Sequence, residues 1–191
     1  MRIGITGGIG SGKSYVCSVL RKRGIEVYDC DDAAKRLMRN SKSLQDEISK
    51  AVGKNVFPEG ILDKKALTLF LLESEENAKR IDSIVHPCVF RDYLDSGISW
   101  VESAILFECG MNEIVDITIC VSAPLDIRIK RIMERDSISE SKARQWIAKQ
   151  LPQEEKESLA DHILYNDGER NIEEQIDIIL NKLNNKNKTN N

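Results

Sequence analysis

Residues Gly7-Gly8-Ile9-Gly10-Ser11-Gly12-Lys13-Ser14 fit the pattern G-x-x-x-x-G-K-[ST], and this stretch constrains the fold more than any other. The pattern has a mechanism only between a strand and a helix. Residues 2–6, Arg-Ile-Gly-Ile-Thr, have strand composition, and Val16, Val19 and Leu20 follow at helical spacing. In that setting glycines let backbone N–H groups approach an anion closely. The N-terminus of the following helix points unpaired N–H groups and partial positive charge at the same place. The anion that suits the pattern is a nucleotide phosphate chain. Lys13 adds a full charge directed at its outer phosphates, and the Ser14 hydroxyl is a ligand for magnesium, which shares those phosphates.

The remaining chain alternates strand-like and helical segments. Residues 25–28, 100–107, 116–121 and 162–165 are strand candidates. Residues 31–95 are mostly helical, as are 124–135, 139–150 and 172–183, and residues 137–140 (Ser-Ile-Ser-Glu) fit a capping box. Pro87 is expected to kink or break the helix that contains it. The Asn- and Lys-rich residues 184–191 are expected to fray. Strands separated by helices predict an α/β fold with a parallel sheet covered on both faces. The chain has 191 residues, enough for one domain with a substantial core.

Charge and cysteines narrow the functional classes. Net charge is −3, so a broad basic nucleic-acid face is not expected, and a phosphate site must be a local basic pocket. The five cysteines form no C-x-x-C pair, which argues against zinc and against a disulfide framework. No apolar run approaches a membrane span, and no signal-like stretch precedes the first strand, so a cytoplasmic location is expected.

In open α/β sheets ligands bind beyond the carboxyl ends of the strands, so those positions hold the candidates. After the second strand stand Asp29, Asp31 and Asp32; Asp31 or Asp32 can cap the next helix, or a carboxylate there can face an acceptor hydroxyl. Glu108 follows the third strand candidate as a holder of a magnesium-bound water or as a cap. After the fourth, Arg128, Arg131 and Arg135 share one helical face, suited either to solvent or to a lid over a transferring phosphoryl group. His86 is a structural histidine or a site residue. The switch sequences D-x-x-G and N-K-x-D of small GTPases are absent.

Together these residues resemble the dephospho-coenzyme A kinases along nearly the whole chain. The resemblance is carried by Thr6 through Ser14, by Asp29-Cys30-Asp31, and by His86-Pro87. It continues in Leu106-Phe107-Glu108, Arg131, Arg135-Asp136, Gln150, Ala160-Asp161, Asn166 and Gly168. It implies a three-layer P-loop kinase fold on a five-stranded parallel sheet. Residues 1–191 would form a single domain, with a helical acceptor-binding region over 31–95 and a short lid over 124–150. The implied reaction is phosphorylation of the ribose 3′-hydroxyl of dephospho-CoA by ATP with Mg2+, by a monomer or small homo-oligomer. Carried over, Asp31 is the base, Lys13 stabilises the phosphoryl group, and Arg131 and Arg135 close over the phosphates. Gly8, Gly10, Ser11, Gly12, Lys13, Ser14 and Tyr15 bind ATP, Ser14 holds the metal, and Asp29, Asp31, His86 and Glu108 contact the acceptor. The chain departs from the family pattern in having Tyr15 for Thr, Ala104 for Pro and Trp146 for a lid Arg. The alternatives are a nucleoside monophosphate or other small-metabolite kinase, and a non-catalytic nucleotide switch.

Overall fold

The computed structural model describes residues 1–189, with side chains through residue 185. The chain divides into two compact units, Met1–Val27 with Ser99–Asn191, and Tyr28–Ile98. A five-stranded sheet has the order β2-β3-β1-β4-β5, with β1 at Ile3–Thr6, β2 at Val27–Asp29, β3 at Trp100–Glu102, β4 at Ile117–Ser122 and β5 at His162–Tyr165. β1 pairs in parallel with β3 and with β4, and β4 with β5. β1 and β4 are buried along their whole length, as expected of parallel strands covered on both faces.

In the first unit, α1 (Lys13–Lys22) and α9 (Ile172–Thr189) supply much of the core. α1 buries Val16, Cys17, Val19 and Leu20, and α9 buries Ile172, Ile176, Ile179 and Leu183 at helical spacing. These pack with Ile3, Ile5, Ile117, Ile119 and Val121 of the sheet. Each fully buried aliphatic side chain contributes roughly 1.5–3 kcal/mol relative to exposure. α1 ends as its sequence dictates: Gly24, at φ 79°, donates its N–H to Arg21, and Ile25 donates to Leu20. α6 (Leu125–Asp136), α7 (Glu140–Ile147) and α8 (Gln153–Leu159) lie between β4 and β5 in the chain.

The second unit is helical: α2 (Cys30–Asn40), α3 (Lys42–Val52), α4 (Lys64–Glu73) and α5 (Glu75–Ser96). Each begins at a residue suited to capping. Asp29, Ser41, Asp63 and Ser74 accept from the amides of Asp32, Leu44, Ala66 and Asn77. α5 buries Ile81, Val85, Val89 and Tyr93 at helical spacing. The Tyr93 and Tyr28 ring centroids lie 5.3 Å apart, and the Tyr28 hydroxyl donates to Asp92.

Several expectations need correcting. α5 runs unbroken through Pro87 for 22 residues, because a proline removes one N–H while the packing stripe on either side stays intact. β3 stops at Glu102 and does not continue to residue 107. The apolar run beyond it coils instead, with Cys109 N–H donating to Ile105 and Gly110 N–H to Phe107. A short apolar run does not distinguish strand from coil by its period, and fully buried Leu106 fills the space beside Gly4. The capping box at 137–140 does not form: Ser139 is the cap, accepting from Lys142 N–H, and Ser137 sits in left-handed geometry at the end of α6. α8 is an additional helix, and α9 reaches Thr189; residues 190–191 of the tail expected to fray lie outside those described.

Candidate active site

Backbone geometry builds the phosphate loop in the first unit. Gly12 caps α1 at φ 89° without a side-chain bond, and Gly10 sits at φ 81°. A Cβ on Gly10 would lie 2.6 Å from the Arg128 carbonyl oxygen, so this position needs glycine for space as well as for conformation. Ser11 N–H closes the turn onto Gly8 O at 3.0 Å.

The loop is gripped by side chains from three other segments. Gly8 N–H donates to Gln153 Oε1 at 3.1 Å, and Ile9 N–H to Gln150 Oε1 at 2.7 Å. Arg128 Nε donates to Ile9 O at 3.0 Å, and Asn166 Nδ2 to Ser11 O at 2.8 Å. Arg131 reaches Gly10 O and Ser11 O at 3.4 and 3.3 Å with one nitrogen and Asn166 O at 3.0 Å with the other. Ile9 packs its side chain on the cluster of Ile129, Ile132 and Ala143 from α6 and α7, which Trp146 also joins.

The N–H groups of Gly10, Gly12, Lys13 and Ser14 find no acceptor among the described residues. The loop's backbone is therefore divided. Its first amides and several carbonyls are satisfied by the protein, and the amides nearest the α1 N-terminus remain to bind an anion, where the helix dipole favours one. Thr6 Oγ1 and Ser11 Oγ are buried without a partner among the described residues. Lys13 Nζ lies 3.5 Å from a Glu102 carboxylate oxygen that is itself buried at the end of β3.

A serine hydroxyl on α1 and a carboxylate at the end of β3 are hard oxygen donors that suit magnesium. Ser14 lies on the first turn of α1, beside Tyr15, which is 53% exposed. Among the described residues no three His, Cys, Asp or Glu side chains gather as a metal cage. Magnesium binds through one or two protein ligands plus substrate phosphates, so Ser14 with Glu102 fits that mode.

The other residues expected at the site are placed as follows. Arg135 is exposed and forks onto Asp136, at 3.0 Å from Nε and 2.7 Å from Nη2, away from the loop contacts that Arg131 makes. Glu108 does not stand at a strand end. It accepts from Lys156 Nζ at 2.7 Å and from Leu151 N–H at 3.1 Å. Asp29, Asp31 and His86 belong to the second unit. Asp29 caps α2 through Asp32 N–H at 3.0 Å, and Asp31 is exposed on the first turn of that helix. His86 Nε2 lies 3.7 Å from Asp82, with its ring stacked on Phe90.

Sequence reasoning missed Glu102, Gln153 and Lys156. Glu102 was hidden by the overlong third strand, although it is the acidic residue that ends a hydrophobic one. Gln150, Gln153 and Lys156 recur every three residues, a spacing that marks one helical face, but a helix from 153 was not expected.

Known proteins carry the same architecture. The structure of TT1252 from Thermus thermophilus superposes with a TM-score of 0.79 at 31% identity over 97% of both chains. A dephospho-CoA kinase from Campylobacter jejuni shares the fold, with TM-score 0.65 and 24% identity over 100% of this chain and 98% of that one. A shikimate kinase from Bacteroides thetaiotaomicron shares it more distantly, with TM-score 0.55 and 16% identity, covering 96% and 98%. In sequence, a dephospho-CoA kinase of Bacteroides fragilis is 38% identical over 183 residues, 92% of this chain and 89% of that protein. One from Salinibacter ruber is 38% identical over 179 residues, covering 88% and 90%. The dephospho-CoA kinase family model matches residues 1–171, a span that takes in the phosphate loop, Asp31, the Arg131 helix and Asn166. On the match to the family model and the identity to these relatives, the chain belongs to the dephospho-CoA kinase family.

Proposed function

We propose that this protein transfers the γ-phosphoryl group of ATP to the ribose 3′-hydroxyl of dephospho-CoA, giving CoA and ADP in the final step of CoA synthesis. The observation that carries the reading is the divided loop: the amides of Gly10, Gly12, Lys13 and Ser14 find no acceptor among the described residues, while those of Gly8 and Ile9 are held by side chains. Family membership supplies the acceptor. In the reaction the 3′-oxygen bonds to the γ-phosphorus, the bond to the β–γ bridging oxygen breaks, and ADP leaves. Asp31 takes the hydroxyl proton, a role supported by its exposed position on the first turn after β2. Lys13 stabilises charge on the transferring group. Ser14 and the Glu102 carboxylate would hold magnesium, which when bound would supply charge neutralisation to the phosphates.

Arg131, which holds the loop through Gly10 O and Ser11 O, neutralises charge on the transferring group; Arg135, paired with Asp136, adds a second lid charge. Residues 31–95 bind the acceptor, and residues 124–150 act as the lid. The enzyme works in the cytoplasm, as a monomer or small homo-oligomer, without nucleic acid or membrane. A nucleoside monophosphate acceptor would call for arginines near the second strand. Arg36 and Arg39 follow that strand on α2, and Arg36 is already paired with Asp92. ADP release with ATP, Mg2+ and a panel of acceptors tests the proposal: turnover with dephospho-CoA is expected, and turnover with a nucleoside monophosphate alone contradicts it.

A further inference from the structure

Lys156 is fully buried in α8, an expensive place for an ammonium unless its protons are used. Nζ donates to Ala104 O at 2.6 Å and to Glu108 Oε1 at 2.7 Å. The same Glu108 oxygen accepts from Leu151 N–H at 3.1 Å, just ahead of the helix. One carboxylate therefore pins both the approach to α8 and its middle turn. One turn before Lys156 stands Gln153, 8% exposed. Its Oε1 receives Gly8 N–H at 3.1 Å, while its Nε2 donates to Val121 O at 3.3 Å and Glu157 Oε1 at 3.2 Å. Gln150, beside Leu151, receives Ile9 N–H at 2.7 Å. The first two amides held in the phosphate loop thus end on a segment that Glu108 ties down through Lys156 and Leu151.

We propose that Lys156 and Glu108 are positioning residues for the phosphate loop, acting on ATP through Gln153 and Gln150 and touching no substrate themselves. The inference rests on the loop binding ATP. The two partners of the pair differ in what their loss exposes. Removing Glu108 strands a buried charge, whereas removing Lys156 leaves a carboxylate that is 24% exposed and still serves Leu151. Lys156→Met keeps the length and most of the packing, so it is the informative change.

The test is a double-mutant cycle on equilibrium binding of a non-hydrolysable Mg–ATP analogue to the full chain, with dephospho-CoA affinity as the second readout. If Lys156 acts through Gln153, then Lys156→Met and Gln153→Ala each weaken the analogue by about tenfold, as for one lost hydrogen bond. The double variant is then no weaker than either alone, because both changes remove the same hold. Dephospho-CoA affinity stays within twofold of wild type. A merely structural lysine would lower the melting temperature and leave analogue affinity within twofold, which overturns the proposal. So do two effects that multiply to about a hundredfold. Should Lys156→Met not fold, Lys156→Gln, which also leaves no buried charge, takes its place in the cycle: a shared tenfold loss supports the proposal, and an unchanged affinity or a multiplied loss overturns it. Wild-type protein that fails to bind the analogue overturns the nucleotide reading itself, and this inference with it. Wild-type binding with an unaffected Lys156→Met removes this inference alone.

Discussion

The base role proposed for Asp31 separates the chemical step from binding. Asp31 is exposed on the first turn of α2, while its neighbour Asp29 is the residue that caps the helix. Asp31→Asn should therefore leave the fold intact and lower kcat by about 10²–10⁴ with KM for ATP nearly unchanged. Equal losses in kcat and in ATP affinity would assign Asp31 to metal or structure instead. Steady-state kinetics with each substrate varied makes the distinction. Lys13→Ala should damage both constants, since its charge serves ground state and transition state alike. It also removes the cation beside the buried Glu102 carboxylate, so a drop in melting temperature is expected alongside. The place of Asp31, just after β2, was legible in the sequence. Glu102 and Lys156 were not, because each acts through a contact between segments far apart in the chain.

Elements were legible where their boundaries carry local chemistry. β5 was read over the residues it occupies because its turn signals flank a single apolar run. The third strand was overread because Ala104 to Phe107 is apolar for a different reason: it wraps over Gly4 to close the core. The break between α6 and α7 was misread in register by two residues, since both Ser137 and Ser139 are plausible caps. That break makes a stability prediction. Ser137 holds φ 53° at the end of α6, a conformation that costs a side chain about 1–2 kcal/mol. Ser137→Gly should raise stability by up to that amount. Ser139→Ala should lower it by about 1 kcal/mol through loss of the cap on Lys142 N–H. Denaturant titrations of the two variants should move in opposite directions, and a stabilising Ser139→Ala would show that the cap contributes nothing.

For the whole molecule, the buried thiols tie stability to pH. Burial, with the nearby Glu102, pushes the Cys17 thiol far above its ordinary range. Burial also raises Cys109, and it raises Cys120 to about 11. A group that holds its proton more tightly when folded gives stability that is fully present below its unfolded pKa and lost as pH rises toward the folded one. Between about pH 8.5, where unfolded thiols titrate, and pH 10.5, folding stability should fall by up to about 1.4 kcal/mol per pH unit for each such thiol. At the acid end the sign reverses. Burial alone would raise Asp92, but hydrogen bonds from Arg36 and Tyr28 outweigh it and hold the carboxyl low, and backbone amides of Arg170 and Glu169 lower Asp167. Their contribution is present above the usual carboxylate range and is lost as pH falls through it. Unfolding midpoints under reducing conditions should therefore pass through a maximum between these limits. A midpoint that climbs steadily to pH 10 would contradict the burial of Cys17 and Cys120.

The parallel sheet and the phosphate loop were legible at this scale because alternating strands and helices leave few topologies and the loop has one mechanism. The side-chain grip on the loop was not, since Arg128, Gln150, Gln153 and Asn166 come from three segments that only the fold assembles. What that assembly is for is tested most directly by the position of the transferred phosphate. After incubation of the protein with ATP, Mg2+ and dephospho-CoA, phosphorus NMR of the purified product should show a new phosphomonoester on the ribose 3′-oxygen, in amount equal to the ADP formed. ADP formation with no phosphate on that oxygen would contradict the account.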